Sequence, residues 1–255
     1  MQLVDSHCHL DDDRFDDTRD EVVEDAAGHG VTRMVVPATT ANRWEKIKRL
    51  CDSNSGLHAA YGLHPMFIEQ HQAAHIAELD EWLDKEKPVA VGECGVDFFQ
   101  GRRDEAWQWK LFNEQLQLAK NHQLPVIVHV RKGMDQVLKT LRQTRVKAGV
   151  IHSFSGSLQQ AEQLVELNFK IGIAATVSFE RARKLRDVVS RIDQTALLLE
   201  SDAPDQPGPK YRNQLNEPSY IREHLKIMAD LRHITVTELA IQLSTNSREL
   251  FGFQQ

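Results

Sequence analysis

Histidines and carboxylates stand at the ends of short apolar runs in this sequence, and these residue types could hold divalent cations. The residues at these positions are His7, His9, His64, Glu93, His129, His152 and Asp202. Burying several ionisable groups together without a counter-charge costs on the order of several kcal/mol for each group. A divalent cation removes that cost, because neutral imidazoles and carboxylates are its ordinary ligands. The pattern therefore predicts a metal site.

The first of these runs carries a His-x-His pair, His7 and His9. Alternate side chains of a strand share one face, so the two imidazoles point the same way, about 7 Å apart and within reach of one cation. Cys8 and Cys94 adjoin candidate ligands in the sequence but alternate to the opposite face. We expect both cysteines to be buried packing residues rather than ligands.

Short apolar, β-branched runs recur along the chain and predict eight strands. Their approximate bounds are Leu3–His9, Arg33–Thr39, His58–His64, Val89–Gly95, Pro125–Val130, Gly149–Ser153, Lys170–Ala175 and Leu197–Asp202. Stretches with helical periodicity separate them: Asn42–Ser53, Ala73–Lys85, Glu105–Asn121, Met134–Arg145, Leu158–Leu167 and Ala182–Arg191. Strands that alternate with helices indicate βαβ units and a parallel sheet.

Eight such units in 255 residues fit a single (β/α)8 TIM-like barrel domain over residues 1–255, since these barrels have roughly 250 residues. The C-terminal ends of the strands form the active-site face of such a barrel, so the polar residues would converge there. A doubly wound open sheet is the alternative, but no G-x-G-x-x-G turn follows the first strand. After a proline-rich loop, the sequence predicts two additional C-terminal helices, over Pro218–Leu231 and Thr235–Leu250.

Composition narrows the class of protein. Apolar residues make up 41% of the chain, which is typical of a globular protein, and no apolar run approaches the roughly 18 residues that span a bilayer. Three cysteines without CxxC spacing predict no disulfide framework, so we expect a cytoplasmic protein without a secretory signal. The net charge of −6 is concentrated in residues 11–25, which we interpret as the solvated start of a helix.

The motifs around these residues identify a resemblance to the TatD family of metal-dependent hydrolases, within the amidohydrolase-like barrel superfamily. They span nearly the whole chain: DSHCHL (5–10), YGLHP (61–65), GECGVDFF (92–99), PVIVHVR (125–131), VIHSFSG (150–156), ESDAP (200–204) and NEP (216–218). The family includes deoxyribonucleases. The resemblance therefore implies a two-metal barrel that cleaves DNA phosphodiester bonds with a metal-activated water.

The resemblance also implies a role for each matched residue. His7 and His9 match the first-strand ligand pair, and Glu93 matches the carboxylate that bridges both metals. His129 and His152 match ligands of the second metal. Asp202 matches the final-strand aspartate, which binds the first metal beside the nucleophilic water and would be catalytic with Glu93. We expect two divalent ions, with Zn²⁺ fitting imidazole ligands best and Mn²⁺ or Mg²⁺ as alternatives.

Weaker expectations concern the surroundings of the site. His64 falls outside this ligand set and is assigned to substrate phosphate or the leaving group, or else to a hydrogen bond that fixes its loop. Arg131 could clamp a phosphate or pair with Asp97, and Asp97 could orient a ligand or be an ordinary loop residue. Glu200 needs a buried partner and has no assigned role.

Basic and aromatic residues also follow the predicted strand ends and could bind nucleic acid. The basic groups are Arg102-Arg103, Arg131-Lys132, Arg181-Arg183-Lys184 and Lys210-Arg212, and the aromatic residues are Phe98, Phe99, Phe154 and Phe179. Solvated helix starts and core packing are the competing explanations for them.

Two other functions stay open at this point. A hydrolase of a small-molecule ester, amide or phosphoester would use the same ligands, and a metal-dependent scaffold protein is the alternative outside enzymes. We expect DNA or another phosphate-containing substrate, no membrane association and no obligate protein partner.

Overall fold

The computed structural model describes residues 2–253 and contains a barrel of eight parallel strands in sequential order. The strands are β1 Leu3–Asp5, β2 Val31–Pro37, β3 Leu57–Tyr61, β4 Ala90–Asp97, β5 Val126–Arg131, β6 Gly149–Ile151, β7 Phe169–Ile173 and β8 Leu197–Leu199. The amide of Ser6 donates to the Leu199 carbonyl at 3.0 Å, which joins the first and last strands. The predicted (β/α)8 TIM-like barrel is confirmed.

Within residues 2–253, nine α-helices surround and close the barrel. They are α1 Arg19–Gly28, α2 Trp44–Ser53, α3 Ala74–Glu86, α4 Glu105–Asn121, α5 Met134–Thr144, α6 Leu158–Glu166, α7 Arg183–Arg191, α8 Ile221–Arg232 and α9 Val236–Phe251. Both predicted C-terminal helices are present: α8 follows β8 as each barrel helix follows its strand, and α9 packs against β1 and β8. None of the helices in this part of the chain is long and apolar enough to cross a bilayer.

The interior of the barrel is apolar at one end and ionisable at the other. Early or middle residues of the strands pack with the last turn of α9 in one buried cluster, which contains Val35, Ala60, Ala90, Ile127, Val150, Leu198, Leu250 and Phe251. A larger apolar layer lies between the strands and the helices. Because the apolar cluster fills the lower barrel, the histidines and carboxylates occupy only the C-terminal ends of the strands.

Several predicted strands were too long at their C-terminal ends. Strand β1 ends at Asp5, so His7 and His9 lie beyond the ladder, as do His64, His152 and Asp202 at the ends of other strands. Here the backbone leaves the sheet and turns, with Asp202 at φ 60° and its amide bonded to the His7 carbonyl at 2.9 Å. The side chains keep their inward direction although the ladder hydrogen bonds have stopped.

The interpretation of residues 11–25 as the start of a helix was partly wrong. Helix α1 begins only at Arg19, and residues 13–15 form a short 3₁₀ turn. Asp11 is buried beside the barrel mouth, and Asp12 and Asp13 bind arginines. Carboxylates in the first turn of a helix are stabilised by the helix dipole. Asp12 and Asp13 are stabilised instead by their ion pairs with arginines.

Strand β4 contains a bulge that determines where Glu93 points. Its register against β5 shifts between Val91 and Cys94, so one additional residue is accommodated there. Glu93 consequently faces the barrel interior, whereas Cys94 packs in the apolar layer below the helices, as does Cys8. Beyond the bulge, Gly95 lies against the backbone of β5: an added Cβ would lie 2.0 Å from the His129 carbonyl oxygen, and φ is +139°.

We predict that Gly95→Ala lowers the free energy of unfolding by about 2–4 kcal/mol, because alanine would be strained at this φ and would collide with β5. Urea denaturation measures this change. Gly28→Ala at the end of α1 is the matched control, since its Cβ would meet nothing within 4 Å, and it should be neutral or stabilising. Equal stability of the two variants would contradict this account of the bulge.

Candidate metal centre

The predicted site residues converge around the buried carboxylate of Glu93. Its Oε1 atom lies 3.0 Å from His64 Nε2, 3.0 Å from His129 Nδ1 and 3.2 Å from His152 Nε2. These side chains come from three different strand ends, so only the closed barrel brings them together.

The second carboxylate oxygen of Glu93 faces a different set of donors. Oε2 lies 3.1 Å from His7 Nε2 and 3.5 Å from His9 Nε2. The same two imidazole nitrogens lie 3.7 and 3.9 Å from Oδ1 of Asp202. Glu93 therefore stands between two groups of donors, with one oxygen toward each group.

This donor set fits divalent cations. Glu93 Oε2 is buried and, within residues 2–253, has no hydrogen-bond partner of good geometry. Three overlapping groups of donor atoms each lie within 4.8 Å of one another: His7, Glu93 and His152; His7, His9 and Asp202; and His64, Glu93 and His129. An unsatisfied carboxylate oxygen among imidazole nitrogens is costly without a cation and favourable with one.

His64 differs from the other histidines in its hydrogen bonding. Its Nδ1 atom accepts the backbone N–H of Met66 at 3.0 Å, and burial is the main cause that lowers its pKa to about 4. The ring is therefore neutral with its proton on Nε2, so this nitrogen donates to Glu93 Oε1. A protonated nitrogen has no lone pair to offer a cation, and the role of His64 as a contact outside the ligand set stays a prediction.

An outer carboxylate hydrogen-bonds to one of the imidazoles, and a second carboxylate lies beside another. Asp97 Oδ2 lies 2.8 Å from His129 Nε2, and Glu200 Oε1 lies 3.4 Å from His152 Nδ1. Glu200 also accepts the Ser153 backbone N–H at 2.5 Å, so this buried carboxylate has the partner that it requires. Contacts of this kind fix the ring orientation of metal-binding histidines.

The electrostatics of the site keep Glu93 ionised. Burial acts to raise its pKa, but electrostatic interactions with the imidazoles of His64, His152 and His7 and a hydrogen bond from His129 bring the pKa well below its ordinary value. Burial, reinforced by the neighbouring His152, holds the pKa of His7 well below its ordinary value. The carboxylate is thus negative over the range in which cations bind.

Three other groups have raised pKa values. Burial acts to lower the pKa of His9, but Glu93 and Asp202 raise it to about 9. Burial is likewise outweighed at His152, whose pKa Glu93, Asp202 and Glu200 raise to about 10. Burial raises the pKa of Asp202 to about 6. Without bound cations, His9 and His152 would therefore carry protons at neutral pH.

An open pocket of about 720 Å³ leads from the surface to these residues. Sequence reasoning missed several of its lining side chains, namely Asp11, Arg14, Arg43, Met66 and Phe67. No regular spacing marks them, because all but Asp11 belong to short 3₁₀ segments of only a few residues between the strands and helices. A weak signal was available in Met66-Phe67, an apolar pair directly after the YGLHP motif.

The surrounding basic and aromatic residues divide into two groups. Arg102 pairs with Glu105, Arg103 with Glu69 and Lys210 with Glu223, which weakens the prediction of a cationic rim. Phe98 and Phe154 are buried and belong to the apolar layer. By contrast, Phe99 is exposed, and its ring centroid lies 3.9 Å from the guanidinium of Arg131, which lines the pocket.

The sequence of the chain is similar to those of known metal-dependent hydrolases. The profile of the family described as TatD related DNase matches residues 4–252. A relative named uncharacterized metal-dependent hydrolase YjjV, from Escherichia coli K12, is 39% identical and covers 98% of both chains. A protein from Erwinia amylovora named 3'-5' ssDNA/RNA exonuclease TatD is 32% identical over 98% of this chain and all of its own length.

Solved structures agree with this match. The crystal structure of the TatD homologue YjjV from Escherichia coli K12 superposes with a TM-score of 0.96 at 38% identity, over 99% of this chain and 98% of that one. A TatD-family hydrolase from Entamoeba histolytica has a TM-score of 0.87 at 22% identity, covers 98% of both chains and shows the shared fold.

We predict that metal binding releases protons and strengthens as the pH rises from 7 to 9. His9 and His152 hold protons at pH 7.5 because their pKa values are about 9 and 10, and a ligating imidazole must lose its proton. Adding Zn²⁺ to chelator-treated protein in weak buffer should release about two protons per chain, measured with an indicator dye. His233→Gln, at an exposed helix end, should release the same number. Uptake with no proton release and no pH dependence would contradict these assignments.

Proposed function

Because the chain belongs to the TatD family of metal-dependent hydrolases, we propose that it is a deoxyribonuclease that cleaves phosphodiester bonds of DNA at a two-metal site. The observation that carries the proposal is the position of Glu93, whose two oxygens face two separate groups of donors. The family description and the named exonuclease relative support DNA as the substrate class.

The residues present would hold two cations. His7, His9 and Asp202 would bind the first together with Glu93 Oε2, and His129 and His152 the second together with Oε1. When bound, divalent cations supply Lewis acidity, which activates water for attack and neutralises charge that builds on phosphoryl oxygens.

In this proposal, Asp202 accepts a proton from the attacking water. Its carboxylate lies at the pocket wall, with Oδ1 near His7 and His9 and Oδ2 accepting a hydrogen bond from Gln206. Burial raises its pKa to about 6, so the group is mainly a carboxylate near neutral pH and can accept a proton. This combination suits a general base.

In this proposal, His64 and Arg131 bind the substrate. His64 lines the same pocket beside Glu93, and in this proposal its imidazole contacts a phosphoryl or leaving-group oxygen. Arg131 lines the pocket wall, and its side chain is 40% exposed, so its guanidinium is open to an adjacent phosphate.

A small phosphoester is the second candidate substrate. The arginines on the opposite side of the pocket are already bound, Arg14 to Asp12 and Asp205, and Arg43 to Asp13. A polyanion gains less from cations that are engaged with carboxylates, and this observation favours a compact substrate.

The proposal predicts cleavage of DNA in a panel of single-stranded DNA, duplex DNA, RNA, phosphomonoesters and simple carbon esters, each with Mn²⁺ or Zn²⁺. Glu93→Gln and Asp202→Asn should each lower DNA cleavage by at least about a hundredfold, because they remove charges that act on the reacting groups. Product analysis by gel electrophoresis measures both expectations.

Glu249→Gln, a neutralised exposed carboxylate in α9, is the matched control and should keep full activity. Circular dichroism would verify that all three variants fold. Turnover of esters without phosphodiester cleavage would reject the proposed substrate, and near-normal cleavage by either site variant would remove that residue from the mechanism.

A further inference from the structure

Exposed apolar side chains lie in and beside the pocket: Met66 and Phe67 line it, and Phe99 contacts Arg131 of its wall. The exposed large apolar residues of the described chain are Met66, Phe67, Phe99, Leu215 and Ile241. All but Ile241 lie on loops that follow the C-terminal ends of strands. Exposed apolar surface at a polar active-site mouth is costly in water and points to a ligand with an apolar face.

Among these residues, Phe99 is held by contacts with two basic side chains. Its side chain is 55% exposed, although the Arg131 guanidinium lies 3.9 Å from the ring centroid. Lys132 Nζ lies 5.1 Å from the same centroid and donates to the Phe99 carbonyl at 3.2 Å. The ring is therefore held against two cations while much of its surface stays open to solvent.

Asp97 connects this ring to the candidate metal centre. Its Oδ1 accepts the Phe99 backbone N–H at 2.9 Å, and its Oδ2 lies 2.8 Å from His129 Nε2 and 3.6 Å from Arg131 Nη1. One carboxylate thus positions a candidate ligand, the backbone of Phe99 and the guanidinium beneath its ring. The distance from the ring to the reacting centre is fixed by these contacts.

The two sides of the pocket differ in how closely carboxylates bind their arginines. Arg14 and Arg43 line the opposite side and bind carboxylates at 2.9 Å or less, whereas Arg131 contacts Asp97 only at 3.6 Å. The Arg131 side offers a substrate both a less engaged cation and an aromatic ring. These are the two elements of a site for single-stranded nucleic acid.

We propose that Phe99, stacked on Arg131, is the platform on which a base of single-stranded DNA stacks, next to the phosphodiester held in the pocket. The inference rests on the proposed function and adds where the strand lies and why it must be single. Bases inside a duplex already stack on each other, whereas a free base gains from an aromatic ring backed by a cation. Stacking tolerates any sequence, since every base has a π-face.

Phe99→Ala should raise KM for a single-stranded oligonucleotide roughly tenfold or more and leave kcat nearly unchanged. Phe99→Leu should share the defect because it keeps apolar surface without a ring, and Phe99→Trp should restore the affinity. Ile241→Ala, an exposed apolar residue in α9, is the control and should leave KM unchanged. The same oligonucleotide with abasic nucleotides near its 3′ end should show no difference between the parent protein and Phe99→Ala.

A binding measurement separates failure of the platform from failure of the proposed function. An oligonucleotide with 2-aminopurine near its 3′ end is titrated with the full chain in chelator, and stacking on Phe99 should quench its fluorescence. Quenching by the parent and not by Phe99→Ala would support the platform even if no DNA is cleaved. Normal cleavage with unchanged KM in Phe99→Ala, equal quenching by the two proteins, or a KM defect confined to RNA would each overturn the proposal.

Discussion

The structure depends on one buried carboxylate that must be neutralised. Glu93 lies inside the barrel among five imidazoles, and each of its oxygens has histidine nitrogens within 3.5 Å. In the metal-free chain, shared protons on His9 and His152 offset this charge. Divalent cations can replace those protons, since the same nitrogens then act as ligands. The negative charge of Glu93 must be balanced for the barrel mouth to be stable. The same charge is what attracts cations to the site.

The rest of the barrel is arranged so that this carboxylate can be buried. Apolar residues of the strands and the end of α9 fill the lower barrel, which leaves the ionisable groups at the opposite end. The bulge in β4 turns Glu93 inward, and Gly95 permits the close contact with β5 that follows. Asp97 and Glu200 then hold His129 and His152 from outside. Each feature restricts the orientation of a group that faces Glu93.

Much of this arrangement could be predicted from residue spacing and from motif resemblance. Alternation placed His7 and His9 on one face and Cys8 on the other, and the strand–helix pattern predicted the barrel that brings distant strand ends together. Strand ends were predicted less well, because side-chain alternation continues through residues such as Asp202 where the ladder hydrogen bonds have already stopped.

The loops around the pocket were beyond sequence reasoning for a related cause. Arg14 binds Asp205, which lies 191 positions further along the chain, and no periodic pattern predicts a contact of that kind. The bulge at Glu93 was likewise not foreseen, since a single additional residue leaves no mark on an apolar run. Ion pairs between surface residues therefore determine which basic side chains around the pocket can still contact a substrate.

In the proposed two-metal site, each of the two oxygens of Glu93 would hold one cation. Anomalous X-ray diffraction from crystals of the protein loaded with Mn²⁺ or Zn²⁺ tests it directly. The account predicts two anomalous peaks, one shared by Oε2 with His7, His9 and Asp202 and one shared by Oε1 with His129 and His152. A single peak, or peaks that do not contact Glu93 at saturating metal, would contradict it.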